Sequence, residues 1–508
     1  MKKISKKRLA FLLLSVLFAC AAVFSVYSCG KTESGDNSGS TTETQAQSGD
    51  SAVSTEPATT EETYAYPELD GGGAVFKFFN PINTWFYYTA LVHDTMTGDV
   101  LDDTIYKRNL FLEEKFNIKI QEVNPASNDM YNYNPEVRKI CQSGMDTYDA
   151  IFVPAAFNGT VGSMITDGFF YDLKEIPTIN LDADWWNQTI LKEAAIGTGS
   201  KIFYAGSGIN LFTVQAASCV YFNQDMLSKL GLDLPYNLVR DGKWTYDKFQ
   251  EYIKAGTQLN GAADFKWDNS GTAIYGLVGY EDSSTALLAG SGEIFVKADA
   301  DGKPVIAFDS ERFINALTKI QDILNISNGN YLYANNSDNI FHYEPIFKNG
   351  RALFTIGELK AANVFREMEA TFGILPMPKY DENQTDYHTH LINQAPVLTI
   401  PGTNPRTEFT GAVLDAMAYL SNKDVIPVLF DVSVSQKQLR NDDSIDMLQI
   451  IKNSGSFEIG IAYGWVNTFY DKVRTSIGEG VKMDIASEID KNKDKINQSI
   501  EKTLALFN

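Results

Sequence analysis

Apolar positions along the chain switch between two periods. Val75-Phe76-Lys77-Phe78-Phe79 is a short, dense apolar run that reads as a buried strand. Ile105, Leu112 and Phe116 then fall on one face of a helix that Asp102 or Asp103 can cap. Ile118 and Ile120 alternate with polar residues, as in a second strand. Val137, Ile140 and Cys141 return to helical spacing, with Gly144 as the stop. Ala150-Ile151-Phe152-Val153-Pro154 reads as a third strand. Strand, helix, strand, helix, strand predicts βαβ units and a largely parallel sheet, hence an α/β fold.

A second region of the same kind starts near residue 219. Cys219-Val-Tyr-Phe222 reads as a strand and Asn223-Gln-Asp225 as the turn into a helix. Thr245 is placed to cap the next helix, and Trp244 before it can staple onto Phe249. Phe249, Tyr252 and Ile253 make that helix's buried stripe. Ser310 caps a longer helix with Phe313, Leu317, Ile320 and Leu324 in register. A helix over 406–421 carries Phe409, Val413, Met417 and Leu420. The last, over 484–507, carries Ile485, Ile489, Ile496, Ile500, Leu504 and Phe507. No internal repeat of 20–50 residues is visible. A chain of 508 residues with this pattern predicts two domains, each with its own core.

The amino terminus follows different rules. Lys2, Lys3, Lys6, Lys7 and Arg8 precede an apolar run from Leu9 to Val26, the layout of an export signal. The run meets Val26-Tyr27-Ser28-Cys29-Gly30, which resembles a bacterial lipobox with Tyr27 as an imperfect middle residue. Leu17-Phe18-Ala19-Cys20 also fits, but would leave apolar Ala21–Val26 at the mature end, so Cys29 is the expected lipidation site. An uncleaved membrane anchor is the competing reading, since the run is near the lower limit for spanning. Residues 31–63 contain Val53 as their only bulky aliphatic, too little apolar surface to fold. The chain thus divides into a signal peptide over 1–28, then a lipidated Cys with a disordered linker over 29–66. Such a Gly/Ser/Thr-rich coil spans about 30 Å end to end. Both readings put the body outside the cytoplasm, tethered to the membrane.

Charge narrows the partners. Lys and Arg number 43 against 64 Asp and Glu, a net charge of −21. Since the five amino-terminal cations leave with the signal, the remainder is more acidic still. Such a chain repels phosphate backbones and anionic bilayers, which excludes nucleic acid as an expected partner. Cys141 and Cys219 sit in apolar-rich contexts and are expected as buried free thiols.

Several short signatures recur in order: Pro67-Glu-Leu-Asp70-Gly-Gly, Thr97-Gly-Asp99, Tyr106-Lys-Arg108-Asn109 and Tyr148-Asp149-Ala150. Tyr221-Phe-Asn223-Gln-Asp225, Gly242-Lys-Trp244-Thr245, Phe347-Lys-Asn-Gly350-Arg-Ala352 and Phe372-Gly373-Ile-Leu-Pro376-Met-Pro378 follow. Over roughly residues 65–508 this order resembles the extracellular solute-binding proteins of ABC sugar importers. The resemblance implies a two-lobed periplasmic-binding-protein-like fold of the maltodextrin-binding kind, with ligand in the cleft between lobes. It places lobe one at about 73–215 plus 396–435 and lobe two at about 219–390 plus 440–508. It also implies a monomer that captures a carbohydrate and delivers it to permease subunits, without cofactor or catalysis. A binder of peptide or another polar solute, and a surface-anchored glycan hydrolase, are the alternatives.

A sugar offers flat C–H faces and many hydroxyls, so its site needs aromatic plates beside short polar side chains. Asn83 and Trp85 follow the first strand closely enough to lie at a cleft rim. Asp184-Trp185-Trp186-Asn187 puts two indoles beside an acid and an amide, with Trp186 the expected plate. Tyr463-Gly464-Trp465 resembles the place where related sugar binders put a stacking Trp. Glu358, after the strand Ala352-Leu-Phe-Thr-Ile356, is a further candidate. Trp244 is explained as a staple. Asp299-Ala-Asp301-Gly302-Lys303 lacks the terminal Glu of a calcium loop and reads as a polar hairpin turn. His388-Thr-His390 reads as a surface loop, so no metal site is expected. HExxH, GxSxG and GxxxxGK[ST] do not occur.

Overall fold

The computed structural model describes residues 64–81, 90–126, 130–157, 159–197, 199–268, 270–334, 342–434 and 442–507. The signal, Cys29, the linker, Asn83 and Trp85 lie outside these residues.

Two sheets organise the body. In the first, strands run in the order Pro396–Thr399, Ala150–Pro154, Ala74–Phe79, Ile118–Val123. The three early strands are mutually parallel, as their helical connections require, and Pro396–Thr399 returns antiparallel beside Ala150–Pro154. Phe76, Phe78, Phe152 and Leu398 close one face against Val413 and Met417 of helix Thr407–Leu420. The second sheet has the order Phe372–Leu375, Ser218–Asn223, Ala352–Glu358, Tyr275–Gly279, Tyr331–Tyr333. It is mixed: Ser218–Asn223 is antiparallel to both neighbours, and the remaining pairs are parallel.

Most of the recurrent signatures prove to be stitches that hold these elements. Asp70 accepts hydrogen bonds from the Gly72 amide (2.8 Å) and Asn117 Nδ2 (2.7 Å), fixing the turn into the first strand. A side chain at Gly71 would collide with Ile118 Cγ2 at 2.3 Å, so the turn tolerates only glycine there. Asp149 accepts from the Lys77 amide at 2.8 Å and pairs with Arg406 at 2.8 Å, tying an early strand to a late helix. Asn223 caps helix Gln224–Leu230 through the Met226 amide. Thr245 caps helix Tyr246–Gly256, Trp244 lies 5.4 Å from Phe249, and the Trp244 indole donates to the Pro376 carbonyl. The N-cap and staple expected there are both present.

Helix Val100–Phe116 is capped one turn earlier than expected, by Asp99, whose side chain accepts from the Leu101 and Asp102 amides. Asp103 instead turns back to accept from Thr97 N, which removes it as a cap. Helix Glu311–Ile323 has the expected cap at Ser310, and helix Ile485–Leu504 is capped by Asp484. The 299–303 segment is the turn of a hairpin, with Asp299 Oδ1 accepting from the Asp301 and Lys303 amides. Cys141 and Cys219 are buried free thiols. Among the described residues no helix is long and apolar enough to cross a membrane.

Candidate functional site

Ligands of open α/β sheets lie beyond the carboxyl ends of the parallel strands. In the first sheet those ends carry an interlocked amide and carboxylate set. Asn80 donates from Nδ2 to Glu122 Oε1 at 2.7 Å, and its Oδ1 accepts from Asn210 Nδ2 at 2.8 Å. Glu122 Oε2 takes the Leu91 amide at 2.7 Å, and Asn124 Nδ2 donates to Glu122 Oε1 at 3.0 Å. Arg108, buried below, donates to the Leu91 carbonyl and to Ser421 Oγ, and burial lowers its guanidinium to about 10. Past the third strand end, Phe157 packs on Tyr131 with ring centroids 5.1 Å apart. Tyr131, near the start of helix Met130–Gln142, is 52% exposed.

The corresponding ends of the second sheet carry a buried polar cluster. Tyr280, one residue past strand Tyr275–Gly279, donates its hydroxyl to Glu358 Oε1. Tyr343 Oη donates to Glu358 Oε2 at 3.3 Å, and Lys360 Nζ lies 3.8 Å from the same oxygen. Tyr280 and Tyr343 stack at 5.1 Å. Burial lowers the Lys360 ammonium to about 8, opposed by the charges of Glu358 and Glu344. Burial, then Glu358, raises Glu344 to about 7 against the pull of Lys360. Asp282 is raised to about 6 by burial, while Arg474 Nη1 sits 3.3 Å from its Oδ1. The cluster therefore holds both proton donors and acceptors in a low-dielectric setting where each is worth more than in water.

One short element joins the two sets. Helix Leu211–Gln215 starts after Asn210, which bonds Asn80. It ends just before Ala217, whose carbonyl accepts from Leu359 N, next to Glu358. Five helical residues span about 8 Å. Helix Leu211–Gln215 thus links the amide set at the strand ends of the first sheet to the Glu358 cluster of the second.

The expected site residues fall in different places. Glu358 stands at the centre of the second cluster, 1% exposed. Asn83 and Trp85 leave from Asn80 but lie outside the described residues. Trp186, expected as a plate, is 1% exposed, and its indole donates to Asp415 Oδ1 at 2.9 Å. Trp185 Nε1, Tyr64 Oη and the Asn180 amide converge on the same carboxylate, each at 3.0 Å. Tyr463 and Trp465 stack on each other at 5.0 Å and 21°, both largely buried. Trp465 Nε1 donates to Thr503 Oγ1 at 2.9 Å, and Tyr463 covers Gly162, where a Cβ would lie 2.5 Å from its ring. In this arrangement Tyr463 packs against Gly162, and both rings are buried. Of the expected residues the structure brings only Glu358 to the strand-end cluster. Tyr131 and Phe157 were not singled out by sequence. Their signal was position, because Phe157 follows the third strand by three residues.

Solved structures share this architecture end to end. A cyclo/maltodextrin-binding protein complexed with maltotetraose matches with TM-score 0.53 and 14% identity, over 85% of this chain and 97% of that one. The ABC substrate-binding protein Lmo0181 from Listeria monocytogenes, in complex with cycloalternan, matches with TM-score 0.51 and 13% identity, over 84% and 99%. The chain has the two-lobed fold of these substrate-binding proteins. UgpB from Mycobacterium tuberculosis, in complex with glycerophosphocholine, has it too, with TM-score 0.51 and 12% identity over 78% and 95% of the two chains. No protein-family model matches this chain, and no curated protein matches it in sequence.

Proposed function

We propose that the chain is the binding component of an ABC importer and that its ligand is a carbohydrate. The observation that carries this reading is the pair of strand-end polar sets linked by helix Leu211–Gln215, in a fold whose solved examples include complexes with maltotetraose and cycloalternan. Hydroxyl-rich ligands suit a site that mixes carboxylates, amides and Tyr hydroxyls with an exposed aromatic ring at Tyr131. A phosphodiester ligand is the second reading, because UgpB is in complex with glycerophosphocholine. It is disfavoured electrostatically: Glu281, Asp282, Glu344 and Glu358 outnumber Lys360 and Arg474 in the second cluster. A hydrolase would need two carboxylates facing a scissile bond; Glu358 is instead occupied by two Tyr hydroxyls.

In this reading lobe one comprises about 73–215 plus 396–435, and lobe two about 219–390 plus 440–508. Cys29 carries the lipid, the linker holds the monomeric body on the outer face of the membrane, and permease subunits receive the closed form. Asn83 and Trp85 extend the rim begun by Asn80. A thermal-shift screen of the purified protein against maltotetraose, raffinose, glycerophosphocholine and a tetrapeptide tests the ligand class. Stabilisation by a saccharide, recovered intact afterwards, is expected. Stabilisation by glycerophosphocholine or peptide alone, or cleavage of the saccharide, would overturn the reading.

A further inference from the structure

A hairpin overhangs the groove between the lobes. Val296–Ala298 and Pro304–Ile306 pair antiparallel and form a two-stranded sheet of their own. An isolated hairpin has little stability in itself, so its anchorage decides how it behaves. The root is firmly held. Phe295 and Phe308, on either side of the hairpin, are buried, and both pack edge-on against Phe469, at 5.2 and 5.3 Å. The Ala307 amide donates to the Phe295 carbonyl at 2.8 Å, and the Val296 amide to Glu458 Oε1 at 2.8 Å. Strand Pro304–Ile306 also lies against helix Ile485–Leu504.

The tip is held differently. Asp299 satisfies the turn from within: its Oδ1 accepts the Asp301 and Lys303 amides at 2.9 Å each, and its carbonyl accepts the Gly302 amide at 3.0 Å. Across the groove the tip reaches a bend of lobe one, where a Cβ on Gly302 would lie 3.8 Å from Ser200 Oγ. That bend is fixed to its own lobe by Lys174 Nζ, which donates to the Gly199 and Ser200 carbonyls at 3.1 and 3.3 Å. Among the described residues no hydrogen bond or ion pair joins 299–303 to lobe one. The tip therefore abuts lobe one without being bonded to it. Open space flanks it. On one side a cavity of about 1020 Å³ is lined by Lys297, Ala298, Gly302 and Pro304 of the hairpin and by Lys192 and Ser200 of lobe one. This cavity shares Gln188, Gln449 and Asn453 with another that reaches Ser207 and Thr213, on the segment whose Asn210 bonds Asn80. On the other side about 450 Å³ separates Gly302 and Lys303 from Glu501 and Leu504 in the last helix. A fixed root, a self-satisfied tip, a landing without bonds and room behind it describe an element built to move.

We propose that the hairpin over 296–306 is a lid on the groove between the lobes, closed when its tip rests on Ser200 and open when the tip swings toward the end of helix Ile485–Leu504. The lid rests on the reading that the ligand is held between the lobes, and it gates ligand exchange separately from any movement of the lobes themselves. Stopped-flow tryptophan fluorescence of the full-length protein in detergent tests it, with Trp185 on the groove wall as a reporter. The probe is whichever of maltotetraose, raffinose, glycerophosphocholine and a tetrapeptide stabilises the protein to heat. Replacing 298–304 by Asn-Gly joins the paired Lys297 and Val305 through a two-residue turn, which removes the tip and keeps the root. Both association and dissociation should become at least tenfold faster, with Kd moving less than threefold. Ser200→Cys/Gly302→Cys sets two thiols within reach of a disulfide, which needs Cβ atoms about 3.5–4.5 Å apart. Treated with oxidised glutathione, this variant should slow both steps at least tenfold, and dithiothreitol should restore them. The same sample serves before and after reduction, so the strain of a Cys at left-handed Gly302 cancels. If the shortened chain misfolds, the Cys pair alone decides. Unchanged rates in the folded variants would overturn the lid and leave the ligand reading intact. Faster dissociation with association unaltered would make the hairpin a ligand contact, which equally overturns the lid. Binding of none of the four probes would remove the ligand reading and the lid together.

Discussion

Replacing Trp465 by Ala separates packing from ligand contact. The ring is 7% exposed, stacks on Tyr463 at 5.0 Å, and spends its only polar hydrogen on Thr503 Oγ1. Truncating a buried Trp to Ala costs about 3–5 kcal/mol through lost transfer energy and the cavity left behind. The stacked pair accounts for some 0.5–1.5 kcal/mol of that. Thr503 keeps its own bond to the Ser499 carbonyl, so no orphaned hydroxyl adds to the sum. Urea unfolding followed by far-UV circular dichroism and by fluorescence, with coincident transitions, should therefore show a loss of about 3–5 kcal/mol. Saccharide affinity of the folded fraction should stay within about twofold, since the ring is buried. A stability loss under about 1 kcal/mol together with a tenfold or larger loss of affinity would refute this. Trp465 would then be a plate, and its burial a feature of one lobe arrangement only.

Tyr131→Ala, at an exposed ring, should do the opposite: near-wild-type stability and a loss of about 2 kcal/mol in saccharide binding, roughly thirtyfold in Kd, measured by calorimetry. Glu458 is buried and pushed up from 4.5 to about 8, by burial first and by Glu193 next, while its Oε1 accepts the Val296 amide at 2.8 Å. Its folded state keeps a proton that the unfolded chain releases above about pH 4.5, so stability should fall as pH rises from there toward 8. Glu458→Gln, which can still accept that amide, should flatten the fall; melting temperatures at pH 5 and pH 8.5 that drop equally in both proteins would contradict the assignment. Asp415→Ala strips a shared acceptor from Tyr64, Trp185, Trp186 and Asn180, and should cost about 1–3 kcal/mol for each donor left buried without a partner, with faster chymotryptic cutting at Tyr64 and Tyr66 as the local sign. Cys29→Ser should abolish incorporation of a labelled fatty acid, and label that persists there but disappears in Cys20→Ser would move the lipid to Cys20.

What the sequence made legible was local. The staple of Trp244 on Phe249, the caps at Ser310 and Thr245, and the three early strands each depend on residues within a few positions of one another. Where the reading failed, a distant partner decided. Asp102 and Asp103 were as good caps as Asp99 until Asp103 found the Thr97 amide. The fourth strand of the first sheet arrives some 240 residues after its neighbour, and the antiparallel direction of Ser218–Asn223 is set by strands from 352 onward. The two indoles at 185 and 186 have a sugar-like composition around them, but Asp415, about 230 residues away, takes both N–H groups. Glu358 could be singled out because it ends a strand, the place where ligands of open α/β sheets lie. Tyr131 lies in the first turn of helix Met130–Gln142, and its contact with Phe157, 26 residues later, is not written in the local sequence.

The Asp415 knot also fixes where force enters the molecule. Tyr64 is gripped by hydrogen bond and by stacking on Tyr419 at 4.7 Å, and Tyr66 packs edge-on against Phe111. Every one of these contacts is to the first lobe's helices, Val100–Phe116 and Thr407–Leu420. A pull applied at Tyr64 is thus delivered first to these two helices and to the sheet face they cover.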